Sequence, residues 1–270
     1  MLGTIVWATL ACRPQAADRP GHMPDTGTPQ DTGTDGGSTD GGSTDGGSTD
    51  GGSTDGGSTT PGPSGTGASI AGTTTYAWLV PECALEGGPA AVLFTMHGSG
   101  GTGASMVAQW RSLAERECFI VIGQDSKTGT SWNFGTDVEG MNNVIEQLKG
   151  LYELDEDRLY LHGYSAGAHW AWVVGLLNSD VFAGLAVYAG TMTYAVKWEV
   201  WPEDTGGPIP VLIGHGTADT TVPYSEAQAA FSRLQGAGWP VELWTASGGD
   251  HAYDPDHQEP AWELFQTWPR

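Results

Sequence analysis

Leu159-Tyr160-Leu161-His162-Gly163-Tyr164-Ser165-Ala166-Gly167 decides how this chain is read. An apolar, β-type run leads into Gly163, and a stretch rich in Ala, Trp and Val leaves Gly167, so the segment reads as strand, sharp turn and helix. The two glycines let the backbone turn tightly without a Cβ in the way, which projects the Ser165 hydroxyl from a strand end at a helix N-terminus. In a chain with 42 glycines the bare G-x-S-x-G spacing carries little; the flanking strand and helix carry the inference.

A serine hydroxyl is a weak nucleophile at neutral pH and needs a base and an acid that orients the base, here expected downstream in the order Ser, Asp, His. Ile209-Pro210-Val211-Leu212-Ile213-Gly214-His215-Gly216-Thr217-Ala218-Asp219 is a strand followed by a turn that carries Asp219, the candidate acid. Gly248-Gly249-Asp250-His251 follows the next strand and offers His251 as the base. The competing reading of Asp219 is an acid that merely closes its turn, and that of His251 a surface loop histidine. Asp250 is the rival acid, but a sequence neighbour of His251 has difficulty reaching its ring. Upstream, Met96-His97-Gly98-Ser99-Gly100-Gly101 follows another apolar strand, and its small residues admit a carbonyl oxygen close to backbone N–H groups. The backbone N–H groups of Ser99 and Ala166 are the candidate oxyanion donors.

Working outward, strands are expected at 74–80, 91–96, 119–123, 158–162, 184–188, 211–215 and 241–245, and helices at 105–117, 138–152, 166–178, 225–237 and 260–267, the last opening with Pro260. Most of the strands are continuously apolar, as strands buried on both faces must be. The fold class is therefore α/β: a mostly parallel central sheet with helices on both faces.

From Thr73 to Trp268 the chain resembles the polyhydroxybutyrate depolymerase and feruloyl esterase group of secreted α/β-hydrolases. The likeness rests on His97-Gly98-Ser99-Gly100-Gly101, Ser131-Trp132-Asn133, Asp155-Glu156-Asp157-Arg158-Leu159-Tyr160 leading into the Ser165 motif, His215-Gly216-Thr217-Ala218-Asp219 with Val222-Pro223-Tyr224, and Gly248-Gly249-Asp250-His251. The resemblance implies an α/β-hydrolase fold and hydrolysis of a hydroxyalkanoate, aryl or acetyl ester, with no metal and no organic cofactor. A peptidase or other acyl hydrolase on the same fold, and a tethered protein without catalysis, are the alternatives. Activity should fall as acid protonates His251, since only the neutral ring serves as a base.

Trp132, Tyr164 and Trp198 are candidate substrate-pocket residues, because the tryptophans fall in loops beyond strand ends; packing beneath the loops is the competing reading. His97, His162 and His215 lack a convergent carboxylate spacing, so no metal site is expected.

The residues before 68 differ in kind. Residues 1–12 form an apolar run of signal-peptide size that ends at Leu10-Ala11-Cys12, with Cys12 a candidate lipid-bearing cysteine and membrane tether. Residues 13–67 read as a solvated linker, within which Asp-Gly-Gly-Ser-Thr recurs in register from Asp35 to Thr59; residues 68–270 form the catalytic domain. The expected location is outside the cytoplasm of a bacterium, as a secreted or cell-envelope lipoprotein. Cys83 and Cys118 then remain as a pair, free or bridged. The formal charge of −22 argues against nucleic acid as a partner, since phosphate binding needs a basic face. That acidity is general: eight of the 32 acids lie in the first 67 residues beside Arg13 and Arg19, which leaves the rest near −16. A monomer acting on a small or polymeric ester is the expected working form.

Overall fold

The computed structural model describes residues 64–68, 75–129 and 131–268. The candidate signal segment, Cys12 and the pentapeptide repeat lie outside the described residues.

Eight strands form one sheet: β1 (Ser64–Ala68), β2 (Thr75–Leu79), β3 (Ala90–Met96), β4 (Ile120–Gln124), β5 (Leu154–Tyr164), β6 (Gly184–Tyr188), β7 (Val211–Gly216) and β8 (Val241–Ala246). Their spatial order is β1-β2-β4-β3-β5-β6-β7-β8. β1 and β2 run antiparallel to their neighbours, whereas all strands from β4 to β8 pair in parallel. β1 is the one strand absent from the sequence reading, and it moves the sheet's start back to Ser64, inside the expected linker. Its Ser, Gly, Thr and Ala carry no apolar alternation; it is held by backbone pairing to β2, which composition does not report.

The helices are α1 (Gly103–Glu117), α2 (Phe134–Lys149), α3 (Ala166–Leu177), α4 (Thr193–Lys197), α5 (Tyr224–Gly236) and α6 (Gln258–Thr267). They cover both faces of the sheet, as expected. Val92, Phe94 and Met96 of β3 point into a core shared with α2, α3 and α5, among them Met141, Trp172 and Leu234. The alternate residues Ala91 and Leu93 point the other way, into a core with Trp110 of α1 and with Trp262 and Phe265 of α6. Period-two alternation with both sides apolar is what a doubly covered strand requires.

Some ends differ from expectation. α2 starts four residues before Val138 because the Asn133 side chain accepts the N–H of Thr136 as a cap, and it stops at Gly150. α6 begins at Gln258, so Pro260 occupies its third position, still within the first turn, where no N–H needs an intrahelical acceptor. β5 begins at Leu154, because its acidic start is an exposed extension paired to Ala90 across a register shift in β3. A disulfide joins Cys83, in the short turn after β2, to Cys118 at the end of α1, with Cα atoms 5.3 Å apart.

Candidate active site

Ser165 is the residue between β5 and α3, with φ 49° and ψ −118°. A non-glycine residue there stores roughly 1–3 kcal/mol of strain and persists only where its surroundings over-determine it. They do so here. The Ser165 N–H donates to the Tyr188 carbonyl at the end of β6 (2.9 Å), and the His169 N–H donates to the Ser165 carbonyl (3.0 Å). The motif's glycines allow the close approach: a Cβ on Gly163 would sit 2.5 Å from the Gly167 oxygen, and one on Gly167 would sit 2.3 Å from the Met96 oxygen. Elbow, helix and β3 therefore pack as one unit.

Ser165 Oγ lies 2.8 Å from His251 Nε2, and His251 Nδ1 lies 2.8 Å from Asp219 Oδ2. A carboxylate only accepts, so Nδ1 carries the proton and Nε2 accepts from the serine hydroxyl. Asp219 Oδ1 accepts the N–H groups of Thr221 (2.8 Å) and Val222 (2.9 Å). Burial alone would raise the Asp219 carboxyl; the hydrogen bonds from His251, Val222 and Thr221 outweigh it and hold the group below its usual range. Asp250 turns to its own loop, accepting the N–H of Ala252 at 2.8 Å.

The loops bearing Asp219 and His251 are joined by backbone. Thr217 N–H donates to the Ala246 carbonyl (3.0 Å) and Ala218 N–H to the Gly249 carbonyl (2.8 Å). The Gly248 N–H donates to Thr217 Oγ1 at 2.8 Å. From the other side the Tyr164 hydroxyl donates to the His251 carbonyl (2.8 Å). His251 is thus held at both flanks.

The loop after β3 reaches the same place, since a Cβ on Gly98 would lie 3.3 Å from that of Ser165. His97 is buried beneath it. Its Nδ1–H donates to the Gly98 carbonyl (2.7 Å) and its Nε2 accepts the Ser126 N–H (3.0 Å). Gly101 N–H also donates to the Gly98 carbonyl (3.0 Å). With that oxygen pinned, the planar trans peptide turns the Ser99 N–H the opposite way. Ala166 N–H belongs to the open first turn of α3.

The candidate pocket residues part company. Tyr164 does line a cavity of about 150 Å³, with Gly98, Ser99, Ser105, Met106 and Tyr253. Trp132 is corrected: it is buried, its indole N–H donates to the His97 carbonyl (2.9 Å), and its ring packs on that of His97. It props the loop from beneath, the competing reading, and is not among the residues that line the cavity beside Tyr164. Trp198 is 44% exposed at the end of α4, edge-on to Trp170, and is not among the residues that line the cavity beside Tyr164. A loop position alone does not tell a tryptophan facing a ligand from one beneath the loop.

Sequence reading missed the supports. His169 stacks on Tyr194 beside the site, and burial, with His251 nearby, pushes its imidazole down to about 4. His215 is fully buried next to Asp219. A signal existed for His215, since a histidine inside an otherwise apolar buried strand must find a partner. Among the described residues, no group of three His, Cys, Asp or Glu side chains is placed to hold a metal ion.

The family model described as Phospholipase/Carboxylesterase matches residues 126–268, a span that contains Ser165, Asp219 and His251 and more than half of the 270-residue chain. The chain belongs to the phospholipase/carboxylesterase family. Within the wider set of similar proteins, it is 28% identical over 194 residues to poly(3-hydroxyalkanoate) depolymerase C of Paucimonas lemoignei, covering 66% of this chain and 45% of that protein. It is 28% identical over 122 residues to a bifunctional acetylxylan esterase/xylanase of Neocallimastix patriciarum, covering 44% of this chain and 17% of that protein. The chain thus spans less than half of each of these relatives. The acetyl xylan esterase structure from Aspergillus awamori superposes with a TM-score of 0.62 at 19% identity, over 76% of this chain and 99% of that one. The family match and this superposition establish the α/β-hydrolase fold, and the depolymerase and esterase relatives lie in the group that the sequence resembles.

Proposed function

We propose that the chain is a serine hydrolase of carboxylic esters that works through an acyl-enzyme. The observation that carries this reading is the unbroken line from Ser165 Oγ through His251 to Asp219, with 2.8 Å on each side of the ring, set on a strained turn at the carboxyl edge of the sheet. In the forward step His251 Nε2 takes the Ser165 proton as Oγ attacks the ester carbonyl carbon. The carbonyl oxygen becomes an oxyanion, received by the N–H groups of Ala166 and Ser99. Collapse breaks the ester bond, and the leaving alkoxide takes the proton from His251. Water, deprotonated by the same nitrogen, then attacks the acyl-enzyme and frees Ser165. Asp219 keeps the imidazole in its Nδ1–H tautomer and stabilises the imidazolium.

Acetyl and hydroxyalkanoyl esters are the favoured substrates, a choice supported by the acetylxylan esterase and poly(3-hydroxyalkanoate) depolymerase relatives. The test is fluorophosphonate labelling with the modified residue mapped, run beside p-nitrophenyl acetate, oligomeric 3-hydroxybutyrate, an aryl ester and a peptide amide. Label on Ser165 with ester turnover is expected. Label elsewhere, or amide cleavage without ester cleavage, would overturn the proposal.

Export follows as part of the same reading, with Cys12 as a lipid anchor, residues 13–67 as a tether and the rest as the catalytic domain. The disulfide between Cys83 and Cys118 supports it, because such bonds persist in oxidising compartments. Radiolabelled palmitate incorporated into the full chain and lost in Cys12→Ala is the expected result; no incorporation removes the anchor.

A further inference from the structure

His215 sits at the end of β7, four residues before Asp219, with its side chain fully buried. Its Nε2 lies 2.8 Å from the Val222 carbonyl, which only accepts, so Nε2 carries the hydrogen. The same nitrogen lies 3.2 Å from Asp219 Oδ2, with its N–H aimed at the carbonyl. Its other ring nitrogen, Nδ1, is buried without a hydrogen-bond partner.

These contacts close a cycle. Val222 gives its N–H to Asp219 Oδ1 and its carbonyl to His215, and the His215 N–H edge flanks Oδ2, the oxygen that faces His251. An apolar side chain of similar volume would fill the slot with no stranded nitrogen, so packing does not account for a histidine here. What the ring adds is the N–H. It fixes the Val222 peptide and, through it, the carboxylate plane.

Resting on the esterase reading, we infer that His215 is a positioning residue: it locks the turn from Asp219 to Val222, so that Oδ2 stays aligned with His251 throughout the acyl-transfer cycle. His215 touches neither substrate nor Ser165. Its effect runs through Asp219 alone.

The experiment compares His215→Leu, which removes the N–H, with His215→Gln, whose amide N–H reaches toward the Val222 carbonyl. Turnover of p-nitrophenyl acetate is measured, and the fluorophosphonate label on Ser165 counts the folded, competent enzyme. The Leu variant should lose about two- to tenfold in kcat per labelled site, the worth of one hydrogen bond between neutral groups, with KM within about twofold. The Gln variant should regain most of that loss. In an Asp219→Asn background, His215→Leu should have almost no further effect.

An unchanged kcat in the Leu variant, or an equal loss with Asp219 already replaced, overturns the inference. Should neither variant fold, imidazole nitrogen NMR of the wild-type chain decides: His215 must be the Nε2–H tautomer, and an Nδ1–H tautomer overturns the inference. Wild-type protein that turns over no ester overturns the esterase reading itself, a result separate from any of these.

Discussion

His251 and His257 lie six residues apart on one stretch of chain, and each turns its Nδ1–H toward an oxygen: the Asp219 carboxylate for the first, the Asp254 carbonyl for the second. The other nitrogen of His251 faces a serine hydroxyl at a partly open edge. That of His257 faces Nε2 of His162 at 3.2 Å in the sealed interior. There the order of donors is forced. His257 Nε2 accepts from His162 Nε2–H, and His162 Nδ1 accepts from the Thr95 hydroxyl at 2.8 Å. Both systems fix a tautomer, but only His251 has a carboxylate hydrogen-bonded to its Nδ1–H. Around His257 a carbonyl and a second ring take that place, and burial outweighs the nearby Asp254 charge. What stands behind the ring, and not the ring itself, separates the two histidines.

Ser165→Ala breaks the first system most completely: kcat on esters should drop by about 10⁴-fold or more, with the thermal midpoint nearly unchanged, since alanine keeps the Cβ and the same backbone strain. Residual turnover near the wild-type rate would remove Ser165 from the chemistry. Asp219→Asn keeps the shape and removes the charge, and should cost about 10³- to 10⁴-fold in kcat. A loss under tenfold would mean that the charge behind His251 matters little.

The second system is read by acid. Burial depresses the His257 imidazole from 6.5 to about 4, and burial with neighbouring His257 depresses His162 well below 6.5. Below pH 6.5 the unfolded chain takes up protons that the folded rings refuse. Stability is therefore full above that pH and falls as pH drops toward 4, on the order of 3 kcal/mol for His257 alone. Urea midpoints at pH 7.5, 5.5 and 4.5 measure this, and a flat series contradicts the buried pair.

Thr95→Val strands His162 Nδ1 and should cost about 1–2 kcal/mol of stability with esterase activity at neutral pH retained. Equal loss of both would show that the two systems are coupled. The smallest effect expected is that of Tyr164→Phe, which removes the hydroxyl from the His251 carbonyl: roughly three- to tenfold in kcat, seen in steady-state kinetics. No change at all would mean that the Asp219 side alone holds the base.

How far the sequence foretold this arrangement differs from residue to residue. β6 is read to the residue because the apolar run of Leu185, Ala186, Val187 and Tyr188 is opened by Gly184 and closed by Ala189-Gly190. Ser165, Asp219 and His251 stand out because each follows a strand through a small-residue turn, a pattern written in local order. β1 is hidden because backbone pairing leaves no mark on composition. α4 is hidden because a five-residue helix has too few turns to show a period. The buried partners were illegible for another reason. Whether Trp132 supports a loop or faces a ligand depends on side-chain direction across elements far apart in sequence, and whether His215 serves Asp219 depends on how the short turn between them folds back.

The bond between Cys83 and Cys118 draws β3, the Gly98–Ser99 corner and α1 into one covalent ring of chain. A single peptide-bond cut anywhere inside that ring, including at its exposed tip near Ser99 and Gly100, separates no fragment from the molecule. A protease that nicks the segment bearing Ser99 therefore does not shed it.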